Sequence, residues 1–136
     1  MKYEKAPDIE AKTQEVVERL KMNHINSEHL VCIRSYGSKS NAIARCHALN
    51  KVMQKAMERK GFYVLEFISE EFDKLPEDEK IKIIIHELMH IPKSFGGGFR
   101  HHDYVNKRNV ERMFKEFQMS NLFRENKFKL SYFENK

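Results

Sequence analysis

One pentapeptide in this chain stands out for its chemistry: His86-Glu87-Leu88-Met89-His90. This is the HExxH pattern. Histidines four positions apart lie one turn apart on one face of a helix, so both imidazoles can reach a single metal ion. Imidazole nitrogens at about 2.0–2.1 Å suit Zn²⁺. Glu87 sits beside the first ligand and is left free to work as a base. It can take a proton from a water that zinc acidifies, while the ion also polarises a carbonyl. His86 and His90 are therefore the candidate metal ligands and Glu87 the candidate catalytic residue. An apolar setting strengthens the reading, because burying three such groups without a partner costs several kcal/mol.

A catalytic zinc takes three protein ligands and keeps one open position. In the metzincin pattern the third histidine falls six residues after the second, but that position here is Gly96. Arg100-His101-His102-Asp103 offers two histidines just after a loop with Gly96, Gly97 and Gly98. That flexible loop can carry one of them back over the helix. A glutamate from the following helix, Glu111 or Glu116, is the other route. His102 is favoured over His101, and either over a glutamate, because histidine is the commoner zinc ligand. Asp103 is open to two readings, as an acceptor that fixes a histidine tautomer or as an N-cap. Arg100 and Tyr104 are candidates for stabilising an oxyanion.

The elements that must position these groups follow from periodicity. Residues 8–22 form a first helix, with Ile9, Val16, Val17 and Leu20 on one face. Residues 29–36 alternate as a strand, followed by a turn over 37–41. Residues 43–46 suit a short strand, and Leu49, Val52, Met53, Ala56 and Met57 space well for a helix that Gly61 stops. Residues 62–68, aromatic and β-branched, make the best strand. The HExxH helix should begin at Pro76, with Glu77, Asp78 and Glu79 against its dipole, and end near Ile91, before Pro92. Apolar residues surround much of it, which predicts a central, buried helix. Residues 103–118 form another helix, and Phe128, Leu130 and Tyr132 alternate as a late strand or packed extension.

The segments Glu71-Phe72-Asp73-Lys74-Leu75, Glu79-Lys80-Ile81, the run from Ile84 to Pro92 and that from Phe95 to His102 together resemble the predicted metallopeptidases of archaea and phages. Those are small zincins, more distantly similar to SprT-like proteases. The resemblance is strongest over 62–105. It implies an α+β, minimal zincin-like fold: one domain over 1–136, helices on a small twisted sheet, and peptide hydrolysis. It also implies that the histidine two residues after the arginine, His102, is the third ligand.

Composition bounds the alternatives. The 136 residues suit one domain, and 40% hydrophobic content supports a core. No apolar run reaches the roughly 20 residues of a membrane span, and the charged N-terminus lacks a signal region. A cytoplasmic protein with a peptide or protein substrate is expected. Cys32 and Cys46 are too few for a disulfide framework or a zinc ribbon. Cys32 reads as core. Cys46 and His47, adjacent on a strand, should face opposite ways. An edge strand, for which residues 62–68 are the candidate, would align an extended peptide. The alternative function is a non-catalytic metal-containing module, contacting nucleic acid or a complex through the basic tail of Arg124, Lys127, Lys129 and Lys136.

Overall fold

The computed structural model describes the backbone of residues 1–134 and the side chains of residues 1–120. The order is β1 (Lys2–Lys5), α1 (Pro7–Arg19), β2 (Leu30–Tyr36), β3 (Ala44–Ala48), α2 (Lys51–Met57), β4 (Tyr63–Ile68), α3 (Ser69–Phe72), α4 (Glu77–Met89) and α5 (Lys107–Glu134). The architecture is α+β, with four strands and five helices among the described residues.

The strands form one mixed sheet in the order β1-β2-β4-β3. β2 and β4 run parallel at its centre, and β1 and β3 flank them antiparallel. β4 is therefore an interior strand, which corrects its expected role as an edge. Its composition explains the error: Tyr63, Leu65 and Phe67 point to one face and are fully buried, and Ile68 is buried as well. The edges are β1 and β3.

Strand alternation places the core on one face of the sheet. Leu30, Cys32, Tyr63, Leu65 and Phe67 are each at most 1% exposed, whereas Val31, Ile33 and Val64, on the other face, are half-buried. On the covered side α1 packs on β2, α4 on β3, and α4 also on α1 and α5. α1 opens on Pro7, carries Asp8 and Glu10 in its first turn, and buries Ile9, Thr13, Val16 and Val17 at helical spacing. It ends three residues short of the expected Met22, where Lys21 turns left-handed (φ 53°).

α4 buries Ile81, Ile84, Ile85, Leu88 and Met89, so it is the central helix that its apolar girth predicts. Pro76 stands just before its first turn rather than within it, and His90 closes its end. α5 starts four residues later than expected. Asn106, not Asp103, caps it, its Oδ1 accepting from the Asn109 amide at 2.9 Å. Val110, Phe114 and Phe117 face the core, and the Arg19 guanidinium lies 3.5 Å from the Phe117 ring centre, joining α1 to α5.

The late strand does not form. α5 continues to Glu134, since neither glycine nor proline interrupts residues 107–134. The side chains of the basic tail lie outside the described residues. Among the described residues no helix is long and apolar enough to cross a membrane.

Candidate metal centre

α4 carries His86 in its last turn and closes on His90. The two Nε2 atoms are 3.3 Å apart. The His90 ring is oriented from behind by a backbone group, with Nδ1 2.8 Å from the Arg100 carbonyl oxygen. A carbonyl can only accept, so Nδ1 carries the hydrogen, and in the neutral ring Nε2 keeps its lone pair.

The chain reaches Arg100 through residues 94–98, which are tied at several points. The buried Tyr63 hydroxyl accepts from the Gly97 amide at 2.9 Å and donates to the Gly98 carbonyl at 2.8 Å. Gln54 Nε2 donates to the carbonyls of Gly96 (2.9 Å) and Leu49 (2.7 Å). Gly97 takes φ +107°, and a Cβ there would fall 2.7 Å from the Leu49 oxygen. The loop does return a histidine to the helix, as its glycines suggest, but it is pinned where free flexibility was expected.

That histidine is His102. Its ring centre stands 6.3 Å from that of His86 and 5.5 Å from that of His90. One nitrogen from each of the three rings lies within 4.8 Å of the others. His101 lines the same cleft but stands outside this group. Its carbonyl oxygen accepts from the amides of Tyr104 and Val105, which closes a turn over residues 101–105. Glu111 pairs with Lys82 at 3.2 Å, and neither it nor Glu116 lines the cleft.

The cleft encloses about 390 Å³ between Ala44, Arg45 and Cys46 of β3, the residues His86, Glu87 and His90, and the segment from Phe99 to His102. Glu87 is only 5% exposed, and its Oε2 has no hydrogen-bond partner among the described residues. Burial pushes its carboxyl up to about 7. Burial, then the neighbouring His90 and His102, lowers the His86 pKa and favours its neutral form. Burial also pushes the Cys46 thiol up to about 12, with the Glu87 charge adding to it. A set of three converging imidazoles beside an unpartnered carboxylate oxygen fits a metal ion of borderline softness.

The remaining candidates sort by position. Arg100 lines the cleft, but its guanidinium stacks 3.3 Å from the Tyr104 ring centre, and Tyr104 is not part of the lining. Asp103 is exposed, and its backbone carbonyl accepts from Asn106 Nδ2. The ring-orienting acceptor is instead the Arg100 carbonyl, which no side-chain pattern could announce. Cys32 is core, against Thr13. Cys46 and His47 do face opposite ways: His47 Nε2 lies 2.7 Å from Glu66, a buried carboxylate also reached by Arg45.

Over residues 1–125 the chain matches the model of a family described as "Putative phage metallopeptidase". Neither a curated protein nor a solved structure matches it.

Proposed function

The chain belongs to this phage metallopeptidase family, and from that premise we propose a zinc-dependent peptidase that uses His86, His90 and His102 as ligands and Glu87 as general base. The observation that carries the reading is the convergence of three imidazole nitrogens within 4.8 Å, beside a buried carboxylate oxygen with no hydrogen-bond partner among the described residues. A bound zinc ion would supply Lewis-acid activation of a water and of the scissile carbonyl.

The protein's own part follows from placement. Glu87, held in a desolvated position with a raised proton affinity, takes a proton at its free oxygen and returns it to the departing amine. His90 is kept in one tautomer by the Arg100 carbonyl. β3 is an edge strand lining the cleft, so it is β3 that would align an extended peptide by strand addition, in place of β4. His101 outside the nitrogen group supports an open coordination position, as catalysis needs and a closed structural site lacks. HExxH at the end of a buried helix supports a minimal zincin, distantly similar to SprT-like proteases. The free thiols Cys32 and Cys46 accord with a reducing cytoplasm.

The test pairs elemental analysis with hydrolysis of a quenched-fluorescence peptide mixture. The wild type should carry stoichiometric zinc and cleave. Glu87→Gln should keep the zinc and lose at least ~100-fold in rate. Full activity in that variant would remove Glu87 from the mechanism, and zinc-free active protein would remove the metal.

A further inference from the structure

Much of the chain's net charge of +5 is concentrated in one decapeptide. Residues 51–60 hold Lys51, Lys55, Arg59 and Lys60 against a single acid, Glu58, all of them exposed, and so carry a net +3. The fold brings the four cations together. Lys51 and Lys55 lie one turn apart on α2. The chain then turns left-handed at Glu58 (φ 53°), and the Arg59 amide donates to the Gln54 carbonyl at 2.9 Å. Arg59 and Lys60 thereby return to the side of the helix that carries Gln54.

Two adjoining clefts, of about 420 and 410 Å³, share Lys51, Gln54, Arg59 and Lys60 in their walls. Lys55 lines the first, and the second extends to His29 and to Gly96 of the glycine loop. Neither shares a lining residue with the metal cleft. Elsewhere Lys12, Arg19, Arg34, Arg45 and Lys82 each meet a carboxylate. Among the described residues none of the four cations of this groove does, so their charge is left for a ligand.

We propose that this groove binds the phosphate backbone of a single-stranded nucleic acid, without reading its sequence. A flexible strand can follow a cationic groove and place successive phosphates on successive cations. Interfaces with nucleic acid are polar and strongly basic, as this one is. An acidic protein segment would need an apolar centre to bury. The first cleft has no apolar side chain in its wall, and Val52, Met53 and Met57 line neither cleft. A lipid surface presents its charges in a plane, whereas these cations line a recess.

The experiment measures binding of fluorescein-labelled oligothymidylate to the full chain by fluorescence anisotropy, over a series of salt concentrations. The oligonucleotide should bind saturably, with log K falling against log salt at a slope of about −3, since each of the four cations contributes about −0.7 on a single strand. Lys55→Glu with Arg59→Glu should weaken binding at least ~10-fold at 50 mM salt and roughly halve the slope. The control pair Lys5→Glu with Lys39→Glu changes the net charge equally at exposed positions, on β1 at the far edge of the sheet and in the turn after β2. It should stay within about threefold of wild type. Circular dichroism checks that each variant is folded, and Lys55→Gln with Arg59→Gln replaces the first pair if charge reversal unfolds it. Equal losses in the two pairs would overturn the proposal, because net charge alone would then account for binding. So would no saturable binding of the oligonucleotide, or tighter binding of duplex DNA, inorganic polyphosphate, polyglutamate or phosphatidylserine vesicles.

Discussion

His90 and Arg100 hold each other by two hydrogen bonds: the Arg100 amide donates to the His90 carbonyl at 2.7 Å, and the His90 ring donates back to the Arg100 carbonyl at 2.8 Å. The end of α4 is thus stitched to the segment that delivers the third imidazole. One of these bonds satisfies a carbonyl at the helix terminus, and the other sets a ring tautomer. Helix termination and site assembly are therefore one structural event, which makes the histidines downstream of Arg100 sensitive to anything that moves the loop.

The two neighbouring histidines should separate cleanly under mutation. His102→Ala removes a member of the nitrogen group, whereas His101→Ala removes a side chain that only lines the cleft. Zinc affinity, measured by competition with a chromogenic chelator, should fall at least ~100-fold for His102→Ala, beyond the loss typical of an outer-sphere partner. It should stay within about threefold of wild type for His101→Ala. The reverse ranking would move the third ligand to His101.

Tyr63→Phe should loosen the site without emptying the core. The ring would keep its edge contact with Phe95, at 4.7 Å between centres. The lost hydroxyl leaves the Gly97 amide and the Gly98 carbonyl without that partner, a cost of about 1–3 kcal/mol. Thermal unfolding should shift down by several degrees, and zinc affinity should weaken because the loop leading to His102 is released at two points. An unchanged melting temperature with unchanged affinity would show that the glycine loop holds itself.

How far the site could be read in advance depends on what kind of force placed each part. HExxH was legible because a 3.6-residue period by itself stacks His86 over His90. The difference between His101 and His102 was not: both line the cleft, and only the folded backbone shows that it is a His102 nitrogen that lies within 4.8 Å of those of His86 and His90. β1 was invisible for a related reason. Lys2–Lys5 is exposed throughout and pairs with β2 through its backbone, so no apolar alternation announces it. The alternation of Phe128, Leu130 and Tyr132 misled in the opposite sense: a period of two appeared where an uninterrupted helix continues. β4 was recognised as a strand but misplaced as an edge, since pairing partners are set by topology rather than by local sequence.

Acid sensitivity should trace partly to Arg34. This residue of β2 binds Asp8 of α1 through two bonds of 2.7 and 2.8 Å, and it also reaches Asp73 at 3.2 Å. The guanidinium pulls the Asp8 carboxyl from 3.8 down to about 2. A depressed folded-state pKa contributes stability above 3.8 that is lost as pH falls through about 2. Asp8 is largely exposed, so screening keeps the pair to at most about 1 kcal/mol. Arg34→Gln should therefore lower urea stability at pH 7 while removing part of the decline between pH 4 and pH 2. Parallel stability–pH curves for variant and wild type would show that other carboxylates govern the acid transition.

Gly61 and Gly98 should respond oppositely to the same added methyl. A Cβ on Gly61 would stand 1.9 Å from the Phe95 oxygen and 3.0 Å from its carbonyl carbon. Both are backbone atoms and cannot rotate away, so residues 94–98 must shift. A Cβ on Gly98 meets nothing within 4 Å. Gly61→Ala should cost about 1–3 kcal/mol or more in urea unfolding and should also weaken zinc binding, because the displaced loop carries the chain to Arg100 and His102. Gly98→Ala should be neutral in both measurements, although Gly98 lies far nearer to His102 in sequence than Gly61 does. Proximity in sequence thus predicts the wrong glycine, and the close approach to Phe95 predicts the right one. If Gly98→Ala proved the more damaging, the geometry of the site would depend on loop freedom rather than on the contact between Gly61 and Phe95.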